Sequence, residues 1–260
     1  MIDIHSHILP SLDDGASDWD EALQMVQQAA AEGIHTIVAT PHHANGRYLN
    51  PASIVKRSVE EMNDRIAQLG LDVTVLPGQE VRVYDQLLEN LNEGQLVGLN
   101  HSQYLLLELP SSRIPKQMEE MIHELSLLGI TPIIAHPERN TEIARNPEVL
   151  SGWIELGVLS QLTAQSISGE NGKKLKSLSL ELIKDGVAHL VASDAHDIIR
   201  RPFYLSKAYD VIKHELGSEV ELYLLDNATR VVSNMPIIPL TFTGFKRRKN
   251  LISKLVNIFN

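Results

Sequence analysis

Residues 1–7 read MIDIHSH, a short apolar run that passes directly into two histidines separated by one residue. Alternate residues of a β-strand point to the same side, so His5 and His7 can direct both imidazoles at one cation. The same order, an apolar run followed by His, Asp or Glu, recurs further along the chain, with segments of helical period in between. This alternation is typical of repeated β-α units around a parallel sheet.

Seven runs rich in Ile, Val and Leu are predicted as strands: 2–5, 34–39, 73–76, 104–108, 131–135, 158–163 and 189–192. Segments of helical period between or after them predict helices at 18–32, 51–69, 116–128, 147–156, 173–184 and 205–216. Several strands follow a glycine that would end the preceding helix: Gly33, Gly70, Gly129, Gly157 and Gly186. Parallel strands need crossover helices, and 260 residues suit one α/β barrel.

Composition excludes several classes of protein. The chain has no cysteine, which rules out disulfides, thiolate metal sites and a cysteine nucleophile. Its net charge of −10 argues against a general nucleic-acid binder. No apolar run approaches the roughly 18 residues that span a bilayer, and residues 1–7 do not resemble a signal peptide. We therefore expect a cytoplasmic location.

The predicted domain covers residues 1–235, and the tail 236–260 differs from it in charge. The tail carries +5 and no acid, whereas the rest of the chain carries −15. Apolar residues of the tail fall on one helical face beside its Lys/Arg cluster. The tail could therefore contact an anionic membrane or an acidic partner, or it could simply pack on the barrel or fray.

Residues that ligate metals gather where the predicted strands end. In a barrel these ends meet on one face, where such folds keep their active sites. Single histidines usually have ordinary structural roles, and we assign such roles to His35, His101, His123, His189 and His214. The candidate metal ligands are His5, His7, Asp14, His42, Glu80, Glu108, His136, Asp194 and His196.

Nine candidates exceed the ligands of one tetrahedral ion, so two or three ions are expected. Imidazole and carboxylate ligands without thiolate suit manganese, iron or zinc. The segment Asp13-Asp14-Gly15 has two interpretations that can both hold: an Asx turn in which glycine supplies a positive φ, and a turn whose carboxylate binds a metal. Only the sixth strand lacks an obvious ligand at its end.

Neighbouring cations attract phosphate oxygens and can activate water for attack on phosphorus. Arg139 and Arg201 could grip a phosphate, whereas Arg200 fits a surface role better. His43 is intermediate: it could belong to the site, even as a general acid, or lie behind His42. Arg47 and Tyr48 could edge the pocket.

Together these motifs closely resemble the polymerase-and-histidinol-phosphatase (PHP) superfamily, and within it the bacterial capsular tyrosine-protein phosphatases of the CpsB/YwqE type. The resemblance spans residues 1 to about 235. It is carried by residues 1–7 and by Asp13-Asp-Gly15, Ala39-Thr-Pro-His42, Pro77-Gly-Gln-Glu80, Leu107-Glu108, Ile134-Ala-His-Pro-Glu-Arg139 and Ala192-Ser-Asp-Ala-His196.

The resemblance implies a distorted (β/α)7 TIM-like barrel that holds three divalent ions, usually manganese. One ion would be bound by His5, His7, Glu80 and Asp194, a second by Glu80, Glu108 and His136, and a third by Asp14, His42 and His196. Arg139 and Arg201 would hold the phosphate. The implied substrate is a phosphotyrosine protein, the tail of a membrane-associated bacterial tyrosine kinase that governs exopolysaccharide or capsule synthesis.

Two alternatives remain open from the residues alone. The first is a PHP phosphomonoesterase with a small substrate such as histidinol phosphate, or with a nucleic-acid end, which the acidic body disfavours. The second is a metal-stabilised module that controls a kinase by binding without catalysis. A phenol leaves with a pKa of about 10, below that of an alkyl alcohol, which favours phosphotyrosine as the substrate.

Overall fold

The computed structural model describes residues 1–238, which form short parallel strands and surrounding helices. The strands are β1 Ile2–Ser6, β2 Thr36–Ala39, β3 His42–His43, β4 Thr74–Pro77, β5 Glu80–Arg82, β6 Tyr104–Glu108, β7 Thr131–Ala135, β8 Leu159–Thr163 and β9 Leu190–Ala192.

The second and third predicted strands each continue beyond a two-residue break. Residues 40–41 separate β2 from β3, and residues 78–79 separate β4 from β5. Pro41 lacks the N–H that a ladder requires, while its carbonyl accepts from the Glu80 amide at 3.2 Å. Gly78 permits close packing, since a Cβ there would lie 2.8 Å from Val38 Cγ1. Each pair therefore acts as one interrupted strand, and the seven predicted strands are confirmed.

Neighbouring strands pair in parallel, in the orders β1-β2-β4 and β3-β5-β6-β7-β8-β9. An isolated bridge between Ser6 and Ala195 connects the first strand to the segment after the last. There the His7 amide donates to the Ala195 carbonyl at 2.8 Å, and the Asp194 amide donates to the His5 carbonyl at 2.9 Å. The strands follow one another round a distorted seven-stranded barrel, as the resemblance implied.

The helices are α1 Trp19–Ala31, α2 Ala52–Gln68, α3 Leu87–Asn92, α4 Met118–Leu127, α5 Thr141–Arg145, α6 Glu148–Glu155, α7 Ala164–Ser168, α8 Lys173–Lys184, α9 Leu205–Leu216 and α10 Ser218–Val232. All six predicted helices are present, and the five predicted stop glycines have positive φ angles, from 64° at Gly70 to 93° at Gly157. The short helices α3, α5 and α7 and the long α10 were not predicted.

Two apolar layers hold the barrel together. The outer layer lies between strands and helices and includes Ile37, Leu107 and Val191. The inner layer includes Ile4 and Leu106 and also contains residues of α10 such as Ala228 and Val231. Val220 and Leu224 of the same helix pack in the outer layer, so α10 contributes to both layers, and its C-terminal part reaches the barrel interior.

A β-bulge in β1 sets the direction of the first two histidines. Asp3 pairs with Ile37 and Ser6 with Ala39, so β1 uses one residue more than β2 over this stretch. Ile4 packs in the inner layer, and the extra residue allows His5 to face inward as well.

Across residues 1–238, no helix combines the length and apolar character that a membrane crossing requires. Beyond residue 238 the predicted basic tail lies outside the described residues.

Candidate metal centre

The nine predicted ligands lie at one end of the barrel, where the parallel strands finish. Glu108 ends β6 and shares the inward register of Tyr104 and Leu106, which pack in the inner layer. His42 and Glu80 are the first residues of β3 and β5, directly after the two breaks. His136 and Asp194 directly follow or closely follow strands and adopt left-handed backbone conformations, with φ of 34° and 56°. Such outliers are concentrated at functional sites.

The first group converges on the two histidines of β1. His5 Nε2 and His7 Nε2 are 3.2 Å apart. Glu80 Oε2 lies 3.5 Å from His5 Nε2 and 3.4 Å from His7 Nε2. Asp194 Oδ1 lies 3.3 Å from each of these nitrogens. Two ring nitrogens and two carboxylate oxygens therefore surround one point.

The second group surrounds the other side of Glu80. His136 Nε2 lies 2.7 Å from Glu80 Oε1. His42 Nδ1 lies 2.8 Å from Glu80 Oε2 and 3.6 Å from Glu108 Oε2. Because its two oxygens face different partners, Glu80 is placed where it could bridge two cations.

The third group is the most open to solvent. Asp14 Oδ1 lies 3.4 Å from His42 Nε2 and 3.6 Å from His196 Nε2. The Asp14 side chain is 45% exposed, whereas the other candidate ligands are largely buried. Among the described residues, three sets bring one ligand atom from each member within 4.8 Å of one another: His7, Asp14, His42 and His196; His5, His7 and Glu80; and His42, Glu80 and Glu108.

The donor atoms fit cations better than they fit one another. Buried atoms without a hydrogen-bond partner in the described structure include His42 Nδ1, Glu80 Oε2 and His196 Nε2. His42 Nδ1 and Glu80 Oε2 are close, but they do not meet in hydrogen-bonding geometry. Unpaired buried polar atoms are costly, and divalent ions bound between these lone pairs would satisfy them.

Electrostatics keep the central carboxylates ionised. Burial opposes the ionisation of Glu80, yet His5 and His42 hold its pKa well below the usual range. Burial also opposes the ionisation of Asp194, and His5, with Arg201 among its other neighbours, holds the pKa of that carboxyl well below its usual value. A buried pair of charged carboxylates makes the site attractive to cations.

A layer of residues behind the ligands orients two of them. Asp13 Oδ2 lies 2.6 Å from His7 Nδ1, and Gln161 Oε1 lies 2.9 Å from His5 Nδ1. Each acceptor leaves the Nε2 atom of its histidine free to face the cluster, the usual arrangement behind metal-binding histidines. Gln161 lies on β8, which corresponds to the sixth predicted strand, the one for which the sequence indicated no ligand.

The predicted Asx turn at Asp13 is present. Gly15 is required in it, but not because of the predicted positive φ. The Gly15 amide donates to Asp13 Oδ1 at 2.9 Å. Gly15 has no positive φ, so that part of the prediction is wrong. A Cβ at Gly15 would lie 1.9 Å from the His7 carbonyl oxygen. Close approach of the two backbones therefore requires glycine.

Arginines line the same mouth. Arg201 Nη2 donates to Asp194 Oδ2 at 2.7 Å, and Arg139 Nη1 donates to the same oxygen. Arg200 points outward, with a side chain that is 87% exposed. Arg82, which the sequence did not single out, places Nη2 3.0 Å from Glu108 Oε2. Strand register explains this contact, because Arg82 on β5 pairs with Glu108 on β6.

His43 lies on the opposite face of β3 from His42. It pairs in register with Val81, a member of the outer apolar layer. Its Nδ1 lies 2.8 Å from the Asn50 carbonyl oxygen, and burial lowers its pKa. The structure therefore places His43 behind the site, where it supports a loop. None of the histidines with assigned structural roles belongs to the metal groups of the described residues.

Comparisons with known proteins show which family the chain belongs to. A family model for capsular polysaccharide synthesis, CpsB/CapC, matches residues 1–233. Tyrosine-protein phosphatase YwqE of Bacillus subtilis is 42% identical over 249 residues, which cover 96% of this chain and 98% of that protein. CapC of Staphylococcus aureus is 43% identical over 237 residues, 90% of this chain and 92% of that protein.

A solved structure from the same family is also similar to this chain. It comes from a crystallographic study of YwqE from Bacillus subtilis and CpsB from Streptococcus pneumoniae, described as unique metal-dependent tyrosine phosphatases. It matches with a TM-score of 0.89 at 41% identity and covers 93% of this chain and 100% of that chain. The family model and these relatives extend over nearly the whole barrel, so the chain belongs to the CpsB/CapC family of capsular polysaccharide synthesis.

Proposed function

We propose that the protein is a metal-dependent protein-tyrosine phosphatase. The main support is the convergence of nine imidazole and carboxylate side chains on one barrel mouth, with two arginines at its edge. The names of the family's relatives agree with this activity. They also favour it over histidinol phosphate hydrolysis and over a module that only binds.

We assign the ligands to three ions, with manganese as the preferred metal. His5, His7, Glu80 and Asp194 would hold the first, and Glu80, Glu108 and His136 the second. Asp14, His42 and His196 would hold the third. This assignment rests on the short distances that join His5, His7, Glu80 and Asp194, on those that join His136 to Glu80 and Asp14 to His42 and His196, and on the unpaired lone pairs that the ions would satisfy. Among the candidate ligands, Glu108 lies nearest to His42 and Glu80, so its place in the second set follows from the shared neighbour Glu80.

Bound divalent ions supply Lewis-acid charge to phosphoryl oxygens and activate water for attack on phosphorus. The protein's own part is to bind and orient the phosphoryl group. Arg139 and Arg201 both reach Asp194 and can turn their remaining N–H groups toward a phosphate. The phenol of tyrosine has a pKa of about 10 and leaves without strong help from a general acid. Such a leaving group suits this site, because His43, the candidate general acid, lies behind the ligands.

We infer that the substrate is a tyrosine-phosphorylated protein in the cytoplasm, such as the tail of a membrane-associated bacterial tyrosine kinase. The open position of Asp14 supports a protein substrate, because a deep closed pocket would exclude one. The basic tail supports contact with an anionic membrane surface near such a kinase.

The test begins with protein stripped by chelator and reloaded with manganese. Hydrolysis of a phosphotyrosine peptide is then compared with hydrolysis of a phosphoserine peptide of the same sequence and of histidinol phosphate. We expect the phosphotyrosine peptide to react fastest and only after metal is restored. Equal rates on the two peptides would contradict the tyrosine assignment, and full activity of the stripped enzyme would contradict the metal requirement.

A further inference from the structure

The loop between β3 and α2 carries an aromatic side chain directly beside a candidate metal ligand. The rings of Tyr48 and His42 are nearly parallel, with an interplanar angle of 7° and centroids 6.2 Å apart. The Arg47 guanidinium carbon lies 4.9 Å from the centre of the Tyr48 ring. Leu49, the next residue, is 70% exposed. Three residues of mixed aromatic, cationic and apolar character thus stand together at the mouth.

Several contacts fix the position of this loop. Asn45 Oδ1 accepts from the amides of Arg47 and Tyr48, at 3.0 and 2.9 Å. The Asn50 side chain donates to the His42 carbonyl oxygen at 2.9 Å and to the Leu12 carbonyl oxygen at 2.8 Å. Asn45 therefore sets the turn inside the loop, and Asn50 ties the far end of the loop to the backbone of His42.

The loop borders the side of the site that faces solvent. His42 belongs to the group with Asp14, the most exposed candidate ligand. A substrate must enter from this side, with its phosphate toward the ions and the rest of the molecule pointing outward. In phosphotyrosine a single ester oxygen separates phosphorus from the phenyl ring. That ring would therefore lie next to the residues that flank the ligands.

We propose that Tyr48, with Arg47 and Leu49 beside it, forms the wall of a subsite for the tyrosyl ring of the substrate. This inference rests on the proposed phosphatase function and adds the residue that selects an aromatic phosphomonoester. Aromatic rings attract one another in offset or edge-on contacts. Phosphoserine is shorter and has no ring, so it cannot make this contact.

A purely structural role for Tyr48 would give a different result. If the ring only supported His42, its loss would weaken metal binding and would affect every phosphate ligand alike. If it contacts the substrate ring, its loss weakens binding of aromatic substrates alone.

The experiment compares full-length wild type, Tyr48→Ala and Tyr48→Phe, all loaded with manganese. Phenyl phosphate and a phosphotyrosine peptide serve as aromatic substrates, and inorganic phosphate serves as a competitive inhibitor without a ring. Tyr48→Ala should raise KM for both substrates by about three- to tenfold. The inhibition constant of phosphate should stay within about twofold of the wild-type value. The manganese affinity, measured by titration calorimetry, should also stay within about twofold. Tyr48→Phe keeps the ring and should restore the KM.

Tyr223→Ala, which removes a half-buried tyrosine on α10, controls for the general effect of losing such a ring. An unchanged KM in Tyr48→Ala would overturn the inference. Parallel weakening of phosphate inhibition or loss of manganese would also overturn it, because either result indicates support of His42. Failure of the wild type to hydrolyse the phosphotyrosine peptide would instead refute the proposed function.

Discussion

Asp13 Oδ2 lies 2.6 Å from His7 Nδ1, and the same oxygen accepts from the His42 backbone amide at 2.9 Å. One buried carboxylate thereby fixes the ring of one candidate ligand and the backbone of another. The Gly15 amide donates to the second oxygen. Asp13 is thus the central support of the loop that carries Asp14.

Replacement of Asp13 should weaken metal binding although Asp13 is not itself assigned as a ligand. In Asp13→Asn the His7 ring loses a charged acceptor, and manganese affinity should fall by about 10- to 100-fold. Titration calorimetry with stripped protein measures this change. Asp20→Asn, on the first turn of α1, is the control and should bind manganese like the wild type. Equal affinities of Asp13→Asn and the control would contradict the orienting role.

Gln161 should have a similar but smaller effect through His5. Gln161→Leu removes the acceptor at His5 Nδ1, so the ring can turn or change its tautomer, and manganese affinity should fall by about tenfold. Gln165→Leu removes another buried glutamine, whose amide contacts the Pro202 carbonyl rather than a histidine. If the two variants lose the same affinity, the effect comes from general disturbance of β8 and α7.

Strand positions and ligand types were predictable because each signal is local. An apolar run of four to six residues followed by His, Asp or Glu is visible without knowledge of the fold, and topology then brings the run ends together. The breaks at residues 40–41 and 78–79 were less visible. Each break depends on a contact between residues that are distant in sequence. The Pro41 carbonyl accepts from the Glu80 amide, and Gly78 packs closely against Val38.

The supporting residues could not be derived in the same way. Gln161 contacts His5 across 156 positions of sequence, and Arg82 meets Glu108 only because of the register between β5 and β6. A glutamine or arginine in a strand has no spacing signature. Gly15 was assigned to a positive φ, the usual reason for glycine in a turn, whereas the structure requires it for close backbone approach to His7.

Stability should depend on pH through His189, which lies away from the metal centre. Burial lowers the pKa of His189 to about 4, from an ordinary value of 6.5. The folded protein keeps this ring neutral, while the unfolded chain takes up a proton below pH 6.5. The contribution to stability is therefore complete above pH 6.5 and is lost as the pH falls toward 4. At about 1.4 kcal/mol per pKa unit, the loss approaches about 3 kcal/mol.

Urea unfolding in chelator at several pH values between 4 and 7 tests this expectation. His189→Gln should lower the slope of unfolding free energy against pH in that range, whatever its overall stability. His123→Gln, an exposed histidine on α4, should leave the slope unchanged. A slope in His189→Gln equal to that of the wild type would show that another group causes the acid sensitivity.

Arg200 and Arg201 are adjacent in sequence but differ in direction, which offers a matched pair of variants. Arg201 Nη2 contacts Asp194 Oδ2 at 2.7 Å, whereas the Arg200 side chain is 87% exposed. Arg201→Ala should raise KM for phenyl phosphate by about 10- to 100-fold, because a hydrogen bond to a charged group contributes about 1.5–3 kcal/mol. Arg200→Ala should stay within about twofold of wild type, as expected for an exposed ion pair.

Manganese content must be measured in both variants, because Arg201 contacts a candidate ligand. A role in phosphate binding predicts an unchanged metal content with a raised KM and a raised inhibition constant for inorganic phosphate. If Arg201→Ala loses manganese instead, its main role is to hold Asp194 in place. Similar KM values for the two alanine variants would refute the role of Arg201 in phosphate binding. Of these two arginines, only Arg201 faces the barrel mouth where the ligands converge.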